Sequence, residues 1–178
     1  MLRGKSVGLR PMEPDDAWLL YRWFNDQKVL EDMGAHHDLF CISMDEERQT
    51  VDRMLRDLDA FHCVIVPLNA DQPIGMVSLA RIDERNASAE LRLLIGEVAE
   101  WGKGYCRDAT RVMVDYGFRT RNLHRVELRV TSYNERAKAC YEACGFRVDG
   151  VLRHDHFHKG QWRDSLLMTI LNGELKEG

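Results

Sequence analysis

One stretch of this chain narrows the choice of fold more than any other. Over residues 88–121 an alternating strand, a Gly-x-Gly turn and an amphipathic helix follow one another. In Ser88–Ile95, Ala89, Leu91, Leu93 and Ile95 point to one side while Glu90, Arg92 and Leu94 point to the other. The turn is Trp101-Gly102-Lys103-Gly104-Tyr105-Cys106, and the helix it opens covers about residues 104–121, with Ala109, Val112, Met113 and Tyr116 as its buried stripe. Glycine admits positive φ and lets backbone come close to a ligand. The start of a helix presents unpaired N–H groups and the positive end of its dipole. Together these form a cradle for a pyrophosphate, and Lys103 and Arg107 add positive charge. A tight strand-to-helix turn with no ligand accounts for the glycines equally well. The turn lacks the Gly-Lys-Ser/Thr of a Walker A loop, and no third glycine completes a dinucleotide fingerprint.

The other segments complete a mixed α/β layer pattern. Residues 7–10 form a first strand, and Pro14 with Asp15 and Asp16 opens a helix whose apolar stripe is Ala17, Leu20, Trp23 and Phe24. Gly34 and the His36–His37 pair mark a loop. Ser43 and Glu46 have capping-box spacing ahead of a second helix that uses Val51, Met54, Leu55 and Leu58. Strands are expected at residues 61–67, 73–81, 125–131, 146–152 and 165–171. A helix over residues 134–144 ends on Gly145 in the left-handed conformation. Helices inserted in a strand-rich chain, with strand–helix–strand units toward the C-terminus, fit one layered domain over residues 1–178.

Composition excludes several classes. With 44% hydrophobic and 30% charged residues the chain is neither disordered nor fibrous. Its apolar runs, such as residues 63–68, fall far short of the roughly 20 residues a membrane span needs. No signal peptide is read at Met1-Leu2-Arg3-Gly4-Lys5-Ser6, so the expectation is a cytoplasmic protein away from membranes. Cysteines number five, an odd set without C-x-x-C spacing, which predicts reduced thiols. Cys140 and Cys144 lie one helical turn apart; a metal or redox pair and a buried face of small hydrophobes both account for them. Charge is segregated. Residues 26–59 hold ten acidic against four basic residues, and residues 101–147 hold ten basic against five acidic. Two solvated helix faces explain this, and so does a protein with one anionic and one cationic ligand.

The succession strand, Gly-x-Gly, helix, strand, Asn-x-x-Ala, helix, Gly-Phe resembles the GNAT superfamily of acyl-CoA-dependent N-acetyltransferases. The segments that carry it are Ala89-Glu90-Leu91, the turn itself, Asp115-Tyr116-Gly117-Phe118, Asn122-Leu123-His124-Arg125-Val126, Asn134-Glu135-Arg136-Ala137 and Tyr141-Glu142-Ala143-Cys144-Gly145-Phe146. Leu9-Arg10-Pro11 and Gly160-Gln161-Trp162-Arg163-Asp164 resemble the RimJ/RimL and spermidine-acetyltransferase branch. The family's turn reads Gln/Arg-x-x-Gly-x-Gly/Ala; here Trp101 stands first and Cys106 last. The resemblance implies a mostly antiparallel central sheet, splayed in the middle and flanked by helices on both faces. It implies acetyl-CoA bound where Ser88–Ile95 parts from Arg125–Thr131. The backbone of Leu93, Leu94 and Ile95 would pair with the pantetheine arm. The amides of Gly102, Lys103, Gly104, Tyr105, Cys106 and Arg107 would hold the pyrophosphate, and Asn134 would touch the arm or the acetyl end. A plain N-cap is the compatible structural reading of Asn134.

Acetyl transfer to an amine needs the neutral amine. An alkyl ammonium of pKa about 10.4 costs about 4.6 kcal/mol to deprotonate at pH 7, whereas an α-amine near 8 costs about one pH unit. Glu90, on the strand expected to flank the thioester, is the candidate base, and the resemblance implies that it acts through a water; an exposed strand Glu paired with an Arg accounts for it equally well. Tyr141, seven residues and two turns after Asn134 and four before Gly145-Phe146, is by the resemblance the candidate acid for the leaving thiolate; a core aromatic with a satisfied hydroxyl is the structural alternative. His154, His156 and His158 alternate, but no carboxylate or cysteine partner set accompanies them, so no metal is expected. The acceptor is a primary amine: a protein N-terminus, a polyamine, an amino sugar or a drug. The acidic stretch at residues 26–59 favours a cation. Direct transfer in a ternary complex is expected, since no cysteine has a basic partner in local spacing. The competing class is a non-catalytic acyl-CoA sensor. A homodimer is compatible with the sequence, and no nucleic-acid motif is present.

Overall fold

The computed structural model describes residues 1–33 and 42–176; the loop expected at Gly34, His36 and His37, and Cys41, lie outside the described residues. An eight-stranded sheet forms the centre. Its strands are β1 (Leu2–Arg3), β2 (Val7–Pro11), β3 (Phe61–Pro67), β4 (Gly75–Asp83), β5 (Ser88–Ile95), β6 (Arg125–Thr131), β7 (Arg147–His158) and β8 (Gln161–Leu171), in the spatial order β1-β2-β3-β4-β5-β6-β8-β7. Every neighbouring pair is antiparallel except β5 and β6. Those two run parallel and stay in register only over Ser88–Arg125, Ala89–Val126 and Glu90–Glu127, after which they part. This is the splayed, mixed sheet the resemblance implies.

Among the described residues five α-helices cover the two faces: α1 (Ala17–Phe24), α2 (Gln27–Met33), α3 (Met44–Arg56), α4 (Tyr105–Arg119) and α5 (Glu135–Cys144). Strand periodicity sends alternate residues to different layers. Ala89 and Leu91 of β5, with Val126, Leu128 and Val130 of β6, join the core that holds Ala109, Met113 and Val114 of α4 and Tyr141 and Cys144 of α5. Leu94 turns to the opposite layer, with Val64, Met76, Leu20, Trp23 and Val51 beneath α1 and α3. Glu90, Arg92, Arg129 and Thr131 share that second face.

Most expected elements are present. Ser43 caps α3, accepting from the Glu46 amide at 3.2 Å while the Glu46 carboxylate takes the Ser43 amide at 2.8 Å. Gly145 ends α5 at φ +114°. Three readings are corrected. Pro14 opens a 3-10 turn, Pro14–Asp16, before α1. Leu58 falls beyond α3 and is 92% exposed, so it is no part of that helix's buried stripe. The strand expected at 146–152 continues to His158, with a register irregularity between Leu152 and His156 and positive φ at His154. That break sends His154 outward, stacked on Trp162, while His156 and His158 are buried together. Helix α2 and strand β1 were not anticipated.

Candidate active site

A cavity of about 830 Å³ opens where β5 and β6 part. Leu93, Leu94 and Ile95 line it, as do Gly102, Gly104, Tyr105, Cys106 and Arg107 from the turn, Asn134 and Tyr141 from α5, and Glu90 at the point of parting. The fold thus gathers nearly every residue singled out in the sequence into one space. A second, more open hollow of about 640 Å³ lies among Asp57, Asp59, Arg81, Asp83 and Glu84 and holds no candidate catalytic group.

Backbone geometry makes the turn. Gly102 and Gly104 have φ of +79° and +86°, and a Cβ on either would meet nothing within 4 Å. Side chains with a Cβ rarely adopt this conformation, and the empty space above it is what a ligand needs. Gly104 is the N-cap of α4 and no side chain caps the helix, so its first amides are left for an outside acceptor. Arg107 also lines the cavity. Lys103 is a correction. Its ammonium donates to both Glu100 carboxylate oxygens at 2.9 Å and its side chain does not line the cavity, so only its backbone belongs to the turn.

A second guanidinium beside Arg107 belongs to Arg136, to which the sequence reading gave no role. The Arg136 guanidinium lies 4.1 Å from the Trp101 ring centroid and pairs with Asp32 at 2.6 Å. The Trp101 indole N–H donates to the Ile95 carbonyl at 2.7 Å, which fixes the ring. Trp101, odd against the family's pattern, is the shelf on which an arginine from α5 reaches the turn. Only the i+2 spacing after Asn134 could have hinted at Arg136. The Asn134 side chain accepts from the Ala137 amide at 3.0 Å as an N-cap, and its amide group donates to the Asp32 carbonyl at 3.0 Å. These open-faced glycines, uncapped amides and two guanidiniums fit the pyrophosphate of coenzyme A.

Tyr141 is buried, packed edge-on against Phe146 at 5.8 Å between centroids, and its hydroxyl has no hydrogen-bond partner among the described residues. Burial, then the neighbouring cysteines and Asp32, hold its pKa well above the usual tyrosine value, so it keeps its proton as a donor. Cys106 and Cys140 bring their sulfurs within 2.9 Å. Cys140 is pushed above the usual thiol range by its hydrogen bond to Cys106 and by burial, and it stays a neutral thiol. Among the described residues no group of three or more His, Cys, Asp or Glu could hold a metal ion, and no helix is long and apolar enough to cross a membrane.

Glu90 is tied. Arg92 donates to its two carboxylate oxygens at 3.0 Å each, and Arg81 stands 3.6 Å away. Burial raises its pKa, but Arg92, Arg81 and Arg129 together outweigh this and lower it, so Glu90 is a carboxylate and a weak proton acceptor. The same end of the cavity holds Asp155, His156 and Ser165, with His156 Nδ1 3.4 Å from the Ser165 hydroxyl.

Parted parallel strands over a glycine turn, with a neutral tyrosine in the wall, define an enzyme that takes an acyl group from a coenzyme A thioester. The chain belongs to the GNAT acetyltransferase family: the family's model, described as an acetyltransferase (GNAT) domain, matches residues 6–147. The chain is 32% identical to the spermidine N(1)-acetyltransferase of Vibrio cholerae over 95% of both sequences. It is 30% identical to that of Escherichia coli over 93% of this chain and 86% of the other. It is 28% identical to the uncharacterized N-acetyltransferase p20 of Bacillus licheniformis over 96% of this chain and 95% of the other. The crystal structure of the Vibrio cholerae spermidine N-acetyltransferase in complex with CoA and spermine superposes with a TM-score of 0.84 at 27% identity, covering 94% of this chain and 96% of that one.

Proposed function

We propose that this chain is a single-domain, acetyl-CoA-dependent N-acetyltransferase that passes the acetyl group directly to a primary amine in a ternary complex. One observation carries the reading: the cavity at the parted strands has the open glycine turn at one end, Tyr141 in its wall and Glu90 where the strands separate. Bound acetyl-CoA supplies the acyl group already activated as a thioester. The amides of residues 102–107, with Arg107 and Arg136, hold the pyrophosphate; the backbone of Leu93, Leu94 and Ile95 runs beside the pantetheine arm, next to Asn134. Glu90, a weak base because of Arg92, orients a water that takes the proton from the amine. Tyr141 donates to the departing sulfur. A C–N bond forms, the C–S bond breaks, one proton leaves through water and the thiol receives another.

The cytoplasm as its compartment is supported by the free thiols of Cys63, Cys106, Cys140 and Cys144. Kinship with the RimJ/RimL branch rests on the segments at Leu9 and Gly160. Pairing as a homodimer is supported by exposed Val151, Phe157 and Trp162 at the β7–β8 edge of the sheet. A polyamine acceptor is a second reading, supported by the spermidine acetyltransferases among the relatives.

Thiol release from acetyl-CoA across a panel of amines tests the reaction. Turnover with some amine is expected. Tyr141→Phe should lower kcat by about a hundredfold or more while leaving coenzyme A affinity nearly unchanged in calorimetry, and Glu90→Gln should lower kcat less. A protein that binds coenzyme A yet turns over no amine at any pH is a sensor, and the reading fails.

A further inference from the structure

The end of the cavity beyond the coenzyme site has a surplus of positive charge and of hydrogen-bond donors. Arg81, Arg92 and Arg129 all line it, against the carboxylates of Glu90 and Asp155. Arg92 is spent on Glu90 through two 3.0 Å contacts, and Asp57 also acts on it. Arg81 reaches Glu90 only at 3.6 Å, is 71% exposed along its side chain and also borders the acidic hollow of Asp57 and Asp59. Arg129 is exposed and acts on Glu90 only through its charge, with no hydrogen bond or ion pair to any described residue, and it sits two residues after Glu127, the partner of Glu90 across the parallel ladder. Thr131, next on the same face of β6, carries a buried hydroxyl with no hydrogen-bond partner among the described residues. Guanidinium groups only donate, and of the two carboxylates here Glu90 is already held by Arg92, so Arg129 is open to an acceptor from outside.

The acidic stretch that favoured a cation does not fill that lack. Of its described carboxylates only Asp32 lines the cavity, and it is paired with Arg136 at the coenzyme end. Glu31 is bound by Lys159, Glu46 caps α3, and Asp45 and Asp52 pair with Arg48 and Arg56 along that helix.

We propose that the acceptor is a primary amine that also carries an oxyanion, a carboxylate or a phosphate, and that Arg129, flanked by Arg81 and Thr131, seats that oxyanion. The inference rests on the acyl-transfer reading above and names its substrate class. Two residues of strand separate the level of Arg129 from that of Glu90, roughly 7 Å, so the anion and the nitrogen are a few bonds apart in the same small molecule or peptide end. The anion is unchanged by the reaction; only its nitrogen is acylated.

The test uses matched acceptors with the intact protein at saturating acetyl-CoA: 4-aminobutyrate against butylamine, O-phosphoethanolamine against ethanolamine, and spermidine. At least one oxyanion acceptor should exceed its partner without the oxyanion by about tenfold or more in kcat/KM, the scale of a charge-assisted pair, and which one does distinguishes carboxylate from phosphate. Arg129→Gln should bring that ratio close to one through KM, and Arg129→Lys should keep part of it. Spermidine or the plain amines preferred over both oxyanion acceptors, or an unchanged ratio in a folded Arg129→Gln protein, overturns the proposal while acyl transfer stands. If no acceptor in any arm is turned over although coenzyme A binds, acyl transfer fails and this inference falls with it.

Discussion

The two ends of the cavity are built from different materials. At the coenzyme end the ligand-facing surface is backbone: two glycines at positive φ and the uncapped first turn of α4. At the acceptor end it is side chain, drawn from β4, β5, β6, β7 and β8 between Arg81 and Ser165. A backbone seat requires particular residue types at consecutive positions and is therefore written locally. A side-chain pocket depends on strand order and register, and those exist only after folding.

The sharpest way to break this contrast is Gly104→Val. A β-branched residue at φ +86° costs about 1–2 kcal/mol in backbone strain and stands over the anion seat. We expect coenzyme A to bind about tenfold to a hundredfold more weakly by calorimetry; unchanged affinity in a folded variant would show that the seat is not the backbone.

A smaller effect concerns how the turn is held. Asp108, one turn into α4, accepts from the amides of Lys5, Ser6 and Val7 at 3.1, 2.6 and 2.9 Å and from the Ser6 hydroxyl at 3.0 Å. Burial raises its pKa, but these donors outweigh it and the net shift is downward. A folded-state pKa below the unfolded one means the stabilisation is complete above the ordinary carboxylate range and is lost as pH falls through the folded value. Asp108→Asn should cost about 1 kcal/mol near neutrality, and its melting temperature should converge with that of the parent protein in acid. Parallel melting curves at all pH values would remove Asp108 from this role.

The smallest effect belongs to Lys103→Ala. Its ammonium is half-exposed and engaged with Glu100, so stability should move by about 0–1 kcal/mol and coenzyme A affinity should barely change. A large loss of affinity would return the side chain to the seat and blur the contrast.

What was legible in the sequence follows the same division. Helix α4, strand β6 and the Ser43 cap were readable because periodicity and capping are local. So was the turn, down to its glycines. Helix α2 was missed: in Gln27–Met33 only Val29 is fully buried, too little for a stripe. The extent of β7 was missed because Gly150 and the turned-out His154 interrupt its alternation. Glu90 was placed at the cavity and its pairing with an arginine was foreseen, which Arg92 on the same strand face provides, but Arg81 and Arg129 came into view only once Ala80 was set against Glu90 and Glu127 against Glu90. Trp101 looked like a mere departure from a pattern because its use, carrying Arg136, depends on a helix 35 residues further on.

Past Glu90, β5 is bonded on one flank only, to β4, and past Glu127, β6 is bonded only to β8. The sheet therefore contains two raw borders of the kind proteins usually hide, since such borders recruit stray strands. Here they face each other across a slot within the molecule, lined also by residues of α4 and α5. An extended guest with amide groups of its own can complete the missing rungs, so the two borders are a template for a ligand and not for a stray strand.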